Sequence, residues 1–166
     1  MNTRESLLLD FAQNPTCPLR TLSHSCSDTE SFGAALAAQL LDNTHPLPPY
    51  IALRGDLGVG KTAFVRGFTS HIAPEALVRS PTFALVNEYR ARNDLPPIFH
   101  FDMYRITDED DLYSIGYDDY LDRGICIVEW SKNIPYALPD SYLVLSIQKI
   151  SPDQPDSRTL MLSLKN

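Results

Sequence analysis

Gly55-Asp56-Leu57-Gly58-Val59-Gly60-Lys61-Thr62 reads G-x-x-x-x-G-K-T and stands directly behind the apolar run Tyr50-Ile51-Ala52-Leu53. The placement carries more weight than the letters. A phosphate-binding loop (P-loop) needs a strand feeding it and a helix leaving it. The four apolar residues predict the strand. Lys61-Thr62-Ala63-Phe64-Val65-Arg66-Gly67-Phe68 carries apolar residues at helical spacing and predicts the helix. Glycines let the backbone curl and turn its N–H groups toward an anion. The helix that follows adds the positive end of its dipole. On this pattern Lys61 reaches the β- and γ-phosphates of a nucleotide, and the Thr62 hydroxyl ligates Mg²⁺. The chain has only 7 Gly, so a chance match inside a glycine-rich turn explains the pattern poorly.

The rest of the composition narrows the class. A length of 166 residues suits one domain with a sizeable core, and 43% hydrophobic with 21% charged residues is ordinary for a soluble globular protein. No apolar stretch approaches the roughly 18 residues of a membrane helix. The first ten residues have no apolar region followed by a small-residue cleavage site, which argues against a signal peptide. Cys17, Cys26 and Cys126 are odd in number and widely spread. That argues against a disulfide framework or a zinc site and for a reducing cytosol. A formal net charge of −7 makes the chain a poor candidate for gripping a phosphodiester backbone alone. Any contact with nucleic acid is then expected through a partner.

Along the chain, residues 1–20 read as a loosely organised N-terminal extension, partly ordered and punctuated by Pro15 and Pro18. Residues 21–166 read as a single domain. A short strand is expected around Thr21-Leu22-Ser23. A helix with Asp28 or Ser27 as its cap is expected through Phe32, Leu36, Leu40 and Leu41. Pro46, Pro48 and Pro49 close it. After the P-loop helix, Ser80-Pro81-Thr82-Phe83 leads into a strand ending near Tyr89, and Asn93-Asp94-Leu95-Pro96-Pro97 turns the chain. Further strands are expected over Ile98 to Tyr104 and Gly124 to Trp130. Short helical segments separate them, and the strands Tyr142 to Ile150 and Thr159 to Leu164 close the chain. Strands alternate with helices in the middle and adjoin one another elsewhere. The expected fold is therefore α/β with a mixed parallel and antiparallel sheet.

In open α/β sheets, ligands gather at the carboxyl ends of the strands. Glu129 follows four apolar residues and is either a Mg²⁺-supporting acid or an ordinary solvated residue after a core strand. Trp130 is either a packing residue or a flat surface beside a nucleotide. His100-Phe101-Asp102-Met103-Tyr104-Arg105 puts His100, Asp102 and Tyr104 on one face by strand alternation. Asp102 is a candidate for orienting a water or joining the metal's outer shell. Arg105 pairs either with a phosphate or with the acidic segment after it. Thr82 is either a nucleotide-sensing loop residue or a turn residue bonding its own backbone.

Taken together, the P-loop, Ser80-Pro81-Thr82-Phe83 with Leu85-Val86-Asn87-Glu88-Tyr89, His100-x-Asp102-x-Tyr104-Arg105, and Glu129-Trp130 resemble the TsaE (YjeE) family in order and spacing over roughly residues 21–150. The resemblance implies a P-loop NTPase-like three-layer fold and a small bacterial ATPase of the tRNA threonylcarbamoyladenosine pathway. It implies weak ATP hydrolysis with Mg²⁺ that depends on the TsaD–TsaB pair, and support of repeated threonylcarbamoyl transfer to the adenosine beside the anticodon. It also implies cytoplasmic location, no membrane association, and tRNA contact only through the complex. Residue by residue, it assigns nucleotide contact to Asp56, Leu57, Gly58, Val59, Gly60, Lys61, Thr62, Ala63, Thr82 and Trp130. It assigns metal support to Thr62 and Glu129, and catalytic roles to Lys61, Asp102 and Glu129. Val59 departs from the family, standing where a small residue is usual, but it keeps its backbone N–H, so binding is expected to survive. The extension before Thr21 is longer than usual.

Two other classes share the P-loop. A small-molecule kinase needs an acceptor pocket and usually an Arg-bearing lid. The arginines here are scattered and no lid segment stands out. A GTPase switch needs a guanine signature, and neither N-K-x-D nor a D-x-x-G after the P-loop occurs.

Overall fold

The computed structural model describes residues 3–91 and 94–166, so Asn93 of the expected turn lies outside the described residues. In chain order the elements are α1 (Thr3–Gln13), β1 (Leu19–Ser23), α2 (Cys26–Leu41), β2 (Tyr50–Arg54), α3 (Lys61–Ile72), β3 (Val86–Tyr89), β4 (Ile98–Asp102), α4 (Glu109–Ser114), α5 (Asp118–Leu121), β5 (Ile125–Glu129), β6 (Tyr142–Lys149) and β7 (Arg158–Lys165). The strands form one sheet in the order β1-β7-β6-β2-β5-β4-β3. Its centre, β6-β2-β5-β4, is parallel, and β3, β7 and β1 add antiparallel pairings at the flanks. The fold is therefore α/β with a mixed sheet.

Strand alternation sorts the core into two layers. Ile51 and Leu53 of β2 face one cluster with Leu36, Phe64 and Phe68, whereas Tyr50 and Ala52 face a second with Phe99, Phe101 and Tyr117. Helices α1 to α3 cover the first face, and α4 and α5 cover the second. A strand buried on both faces reads as a continuous apolar run, which is why β2, β4 and β5 stand out in the sequence.

Two differences from the sequence reading have local causes. The stretch before Thr21 was expected to be loosely organised, yet it is helical from Thr3 to Gln13, and Leu8, Phe11 and Ala12 lie in the core beside α2. Burying the larger two is worth roughly 1.5–3 kcal/mol apiece, enough to order a helix whose own pattern is weak. Arg4 adds an ion pair to Asp28 at 2.6 Å, and this hydrogen bond holds the Asp28 carboxyl below the usual carboxylate range. The cap of α2 is Ser25 rather than Ser27 or Asp28. Ser25 Oγ accepts from Asp28 N at 3.0 Å, while Asp28 Oδ2 accepts from His24 N at 2.9 Å. Three candidate capping residues lie within four positions, and the one whose oxygen reaches the third helical N–H wins.

Cys126 sits inside β5, and burial pushes its thiol up to about 12. At pH 8 it stays protonated and unreactive. Alkylation of the native protein at pH 8 should therefore modify the exposed Cys17 and Cys26 and spare Cys126 until denaturant is added. Mass spectrometry reads this directly, and prompt native labelling of Cys126 would mean that the β5 core opens.

Candidate active site at the carboxyl edge of the central strands

Three parallel strands end together. β2 ends at Arg54, β5 at Glu129 and β4 at Asp102, and the register sets Leu53 and Asp102 on either side of Glu129. The loop from Gly55 to Gly60 leaves this edge and enters α3 at Lys61. Gly55, Gly58 and Gly60 have φ of 146°, 75° and 110°, the region where a side chain is strained and glycine is not. A Cβ at Gly55 would lie 2.5 Å from Ile147 O, but at Gly58 and Gly60 it would meet nothing within 4 Å. The space over the second half of the loop is open. Gly60, the cap of α3, makes no side-chain cap bond, so the positive end of this helix faces that space without a protein cap. Val59 is buried in the core, with its side chain against Gly55 and not over Gly58 or Gly60.

Lys61 is only 7% exposed. Its Nζ donates to Gly55 O at 2.9 Å and Asp56 O at 3.0 Å and lies 3.7 Å from Glu129 Oε2. Glu129, 5% exposed, is thus a buried acid beside the lysine and not a solvated residue. Its Oε1 lies 2.9 Å from Nε2 of His100, which has no exposed surface. Asp102 is also buried. Its Oδ2 accepts from Thr82 Oγ1 at 2.9 Å and its Oδ1 from Tyr104 N at 3.0 Å. The Thr82 hydroxyl is therefore bonded across to β4 and to Ser80, 2.8 Å away.

Not every expected member of the His-Asp-Tyr-Arg group shares this centre. β4 ends at Asp102 and the chain turns, so Tyr104 leaves the strand face and meets the Trp130 ring edge-on at 5.0 Å between centroids. Arg105 stacks over Phe83 at 5.0 Å. Trp130 is 37% exposed and its φ of 57° is left-handed, an unusual conformation for a bulky residue. Its ring lies 5.9 Å from Lys61 Nζ. Thr62 is half-buried, Ala63 buried, and Asp56 and Leu57 exposed.

One loop contact has no trace in the sequence. Arg158, the first residue of β7, donates from Nε to Val59 O at 2.7 Å and so ties the loop to the far side of the sheet. A cavity of about 620 Å³ opens beside the loop, bordered by Arg54, Asp56, Leu57, Trp130, Lys132 and Lys149. A larger one of about 780 Å³ lies between the α3–β3 connection and β3, lined by residues including Leu77, Phe83 and Tyr89. Size does not mark the site here, because the glycine loop borders only the smaller cavity.

Among the described residues no helix is long and apolar enough to cross a membrane. The sheet and the glycine loop at its carboxyl edge define a P-loop protein of the α/β nucleotide-binding class. The family model described as "Threonylcarbamoyl adenosine biosynthesis protein TsaE" matches residues 23–159, and the chain belongs to the TsaE family of tRNA threonylcarbamoyladenosine biosynthesis proteins. The tRNA threonylcarbamoyladenosine biosynthesis protein TsaE of Bacillus subtilis is 37% identical over 105 residues, which is 63% of this chain and 64% of that protein. That of Haemophilus influenzae is 37% identical over 70% of this chain and 73% of its own length. That of Rickettsia bellii is 31% identical over 81% and 90%. The crystal structure of Bacillus subtilis YdiB matches with a TM-score of 0.65 and 28% identity, covering 88% of this chain and 84% of that one. Family membership does not favour the small-molecule-kinase reading.

Proposed function

We propose that this protein binds ATP with Mg²⁺ and hydrolyses it weakly, in support of threonylcarbamoyl transfer to tRNA by TsaD-like and TsaB-like partners. One observation carries the reading: a glycine backbone open at Gly58 and Gly60, with Lys61 held between the loop carbonyls and the buried Glu129. The residues suit the group. Asp56 to Ala63 supply backbone N–H groups and a helix N-terminus for the phosphates. Lys61 is already desolvated and oriented by two carbonyls, so little rearrangement is needed for it to meet a phosphate. Thr62 and Glu129 would hold Mg²⁺, which neutralises charge on the transferred phosphoryl group when bound. Mg²⁺ sites of this kind use one or two protein ligands plus phosphates. That agrees with the absence, among the described residues, of any His, Cys, Asp and Glu cluster able to hold a metal alone.

Asp102, fixed by Thr82 and Tyr104 N, is the catalytic acid of this reading, and Trp130 flanks the nucleotide. Because Thr82 bonds Asp102, displacement of the Ser80–Leu85 loop changes the surroundings of that acid, which gives the loop a switch-like character. The net charge of −7 leaves tRNA contact to the partners. The exposed, unpaired Cys17 and Cys26 suit the reducing cytoplasm.

The deciding experiment is an ATPase assay with and without the TsaD–TsaB pair, beside calorimetric affinities for ATP and GTP. Stimulated hydrolysis and ATP preference are expected, and no nucleotide binding under any of these conditions would end the reading. Within it, Glu129→Gln keeps the fold and lowers turnover on the order of 10²-fold, since a neutral amide is a poor hard-cation ligand. Unchanged rates across a Mg²⁺ titration would remove Glu129 from the site.

A further inference from the structure

His100 has an environment that core packing alone does not explain. It occupies the middle of β4, flanked by Phe99 and Phe101, and its ring has no exposed surface. Its nearest aromatic neighbour, Tyr89, is tilted at 6.4 Å between centroids. An apolar residue of similar volume would fill this place without desolvating two ring nitrogens. Nδ1 is buried and has no partner. The only polar contact the ring makes among the described residues is Nε2 to Glu129 Oε1, at 2.9 Å. An ionised carboxylate only accepts, so Nε2 carries the hydrogen.

Glu129 lies between two competing donors. Behind it stands the His100 N–H, in hydrogen-bond contact. In front stands Lys61 Nζ, 3.7 Å from Oε2, too far for a good hydrogen bond. At low dielectric the attraction between a buried carboxylate and a buried ammonium is strong. If it were unopposed, the two would close to direct contact. Oε2 would then take the third Lys61 donor beside Gly55 O and Asp56 O, and both the ammonium and that oxygen would be committed to each other. We propose that His100 is a positioning residue that holds the Glu129 carboxylate back from Lys61, keeping Oε2 and the Lys61 ammonium apart and separately available to a ligand. This rests on the assignment of Glu129 and Lys61 to the nucleotide site.

The test uses the full chain with His100→Leu, which keeps volume and removes the donor, and His100→Gln, whose amide N–H reaches the same point. The first readout is the nucleotide-free crystal structure. In His100→Leu, Glu129 closes onto Lys61 to hydrogen-bond distance, and in His100→Gln it stays back. The second readout is the Mg²⁺-dependent gain in affinity for a non-hydrolysable ATP analogue, measured by calorimetry. His100→Leu should lose that gain about tenfold or more, as supporting residues around metal ligands typically do. His100→Gln should recover it to within about threefold on the same scale. A His100→Leu structure with Glu129 unmoved overturns the proposal. So does a His100→Gln protein with the same collapsed carboxylate. Collapse in His100→Leu in a protein that binds no nucleotide would defeat the proposed function and leave the positioning role standing. Should His100→Leu fail to fold, His100→Asn replaces it, polar but too short to reach Glu129, with the same two outcomes.

Discussion

Lys61→Ala should abolish measurable ATP hydrolysis, a fall of about 10²–10³-fold or more, and weaken ATP·Mg²⁺ binding by at least about tenfold. Lys61 Nζ is held at the mouth of the loop by Gly55 O and Asp56 O and faces Glu129. Truncation removes the buried cation that the proposed site offers to the phosphates. It also leaves the Glu129 carboxylate buried with only His100 beside it, so the local field becomes repulsive to an anion. Hydrogen bonds to charged groups are worth about 1.5–3 kcal/mol each, which already exceeds a tenfold loss in binding. Circular dichroism and thermal melting separate this from misfolding, since the α3 packing residues Phe64, Val65 and Phe68 are untouched. Calorimetric titration with ATP·Mg²⁺ and a steady-state assay check it. Wild-type affinity together with wild-type turnover would remove Lys61 from the site.

Gly67→Ala should destabilise the fold by about 3 kcal/mol or more, against a helix-propensity gain of only about 1 kcal/mol. Gly67 lies where α3 crosses α2. A Cβ there would fall 1.9 Å from Glu30 O and 2.4 Å from both Glu30 C and Cα. These are backbone atoms of a packed helix and cannot rotate aside. The helices would have to separate, opening the contact between Phe32 and Phe64, whose rings are 6.4 Å apart. Gly33 makes the reciprocal approach, with a Cβ at 2.4 Å from Phe64 O. For a chain of this length the melting temperature should drop by roughly 6–12 °C. Because α3 starts at the P-loop, nucleotide affinity should fall with it. A melting temperature unchanged or raised would show that propensity outweighs the close approach and that the two helices can part at little cost.

The parts legible in the sequence were those with local requirements. A glycine-rich turn between an apolar strand and an amphipathic helix needs only neighbouring residues to be recognised, so the loop, β2 and α3 could be read directly. The buried strands β4 and β5, with acids at their ends, showed themselves for the same reason. α1 did not. Its apolar face is short, and its helix is fixed by burial of Leu8 and Phe11 against α2. The end of β4 was also out of reach, and with it the departure of Tyr104 from the His100 face. The two-residue difference in where this strand stops is decided by the turn that follows and not by alternation.

The sequence by itself thus carried a P-loop pattern in an α/β sheet, acids at the strand ends, and a resemblance to the TsaE family that the comparisons bear out. Folding decided which side chains meet: Thr82 with Asp102 across 20 residues, His100 with Glu129 across 29, and Arg158 with Val59 across 99. The reason lies in the forces. Backbone dihedral preferences act between neighbours and leave their mark in the order of residues. Hydrophobic burial has no direction, so a pattern that marks a residue as buried does not say which polar partner will be waiting there.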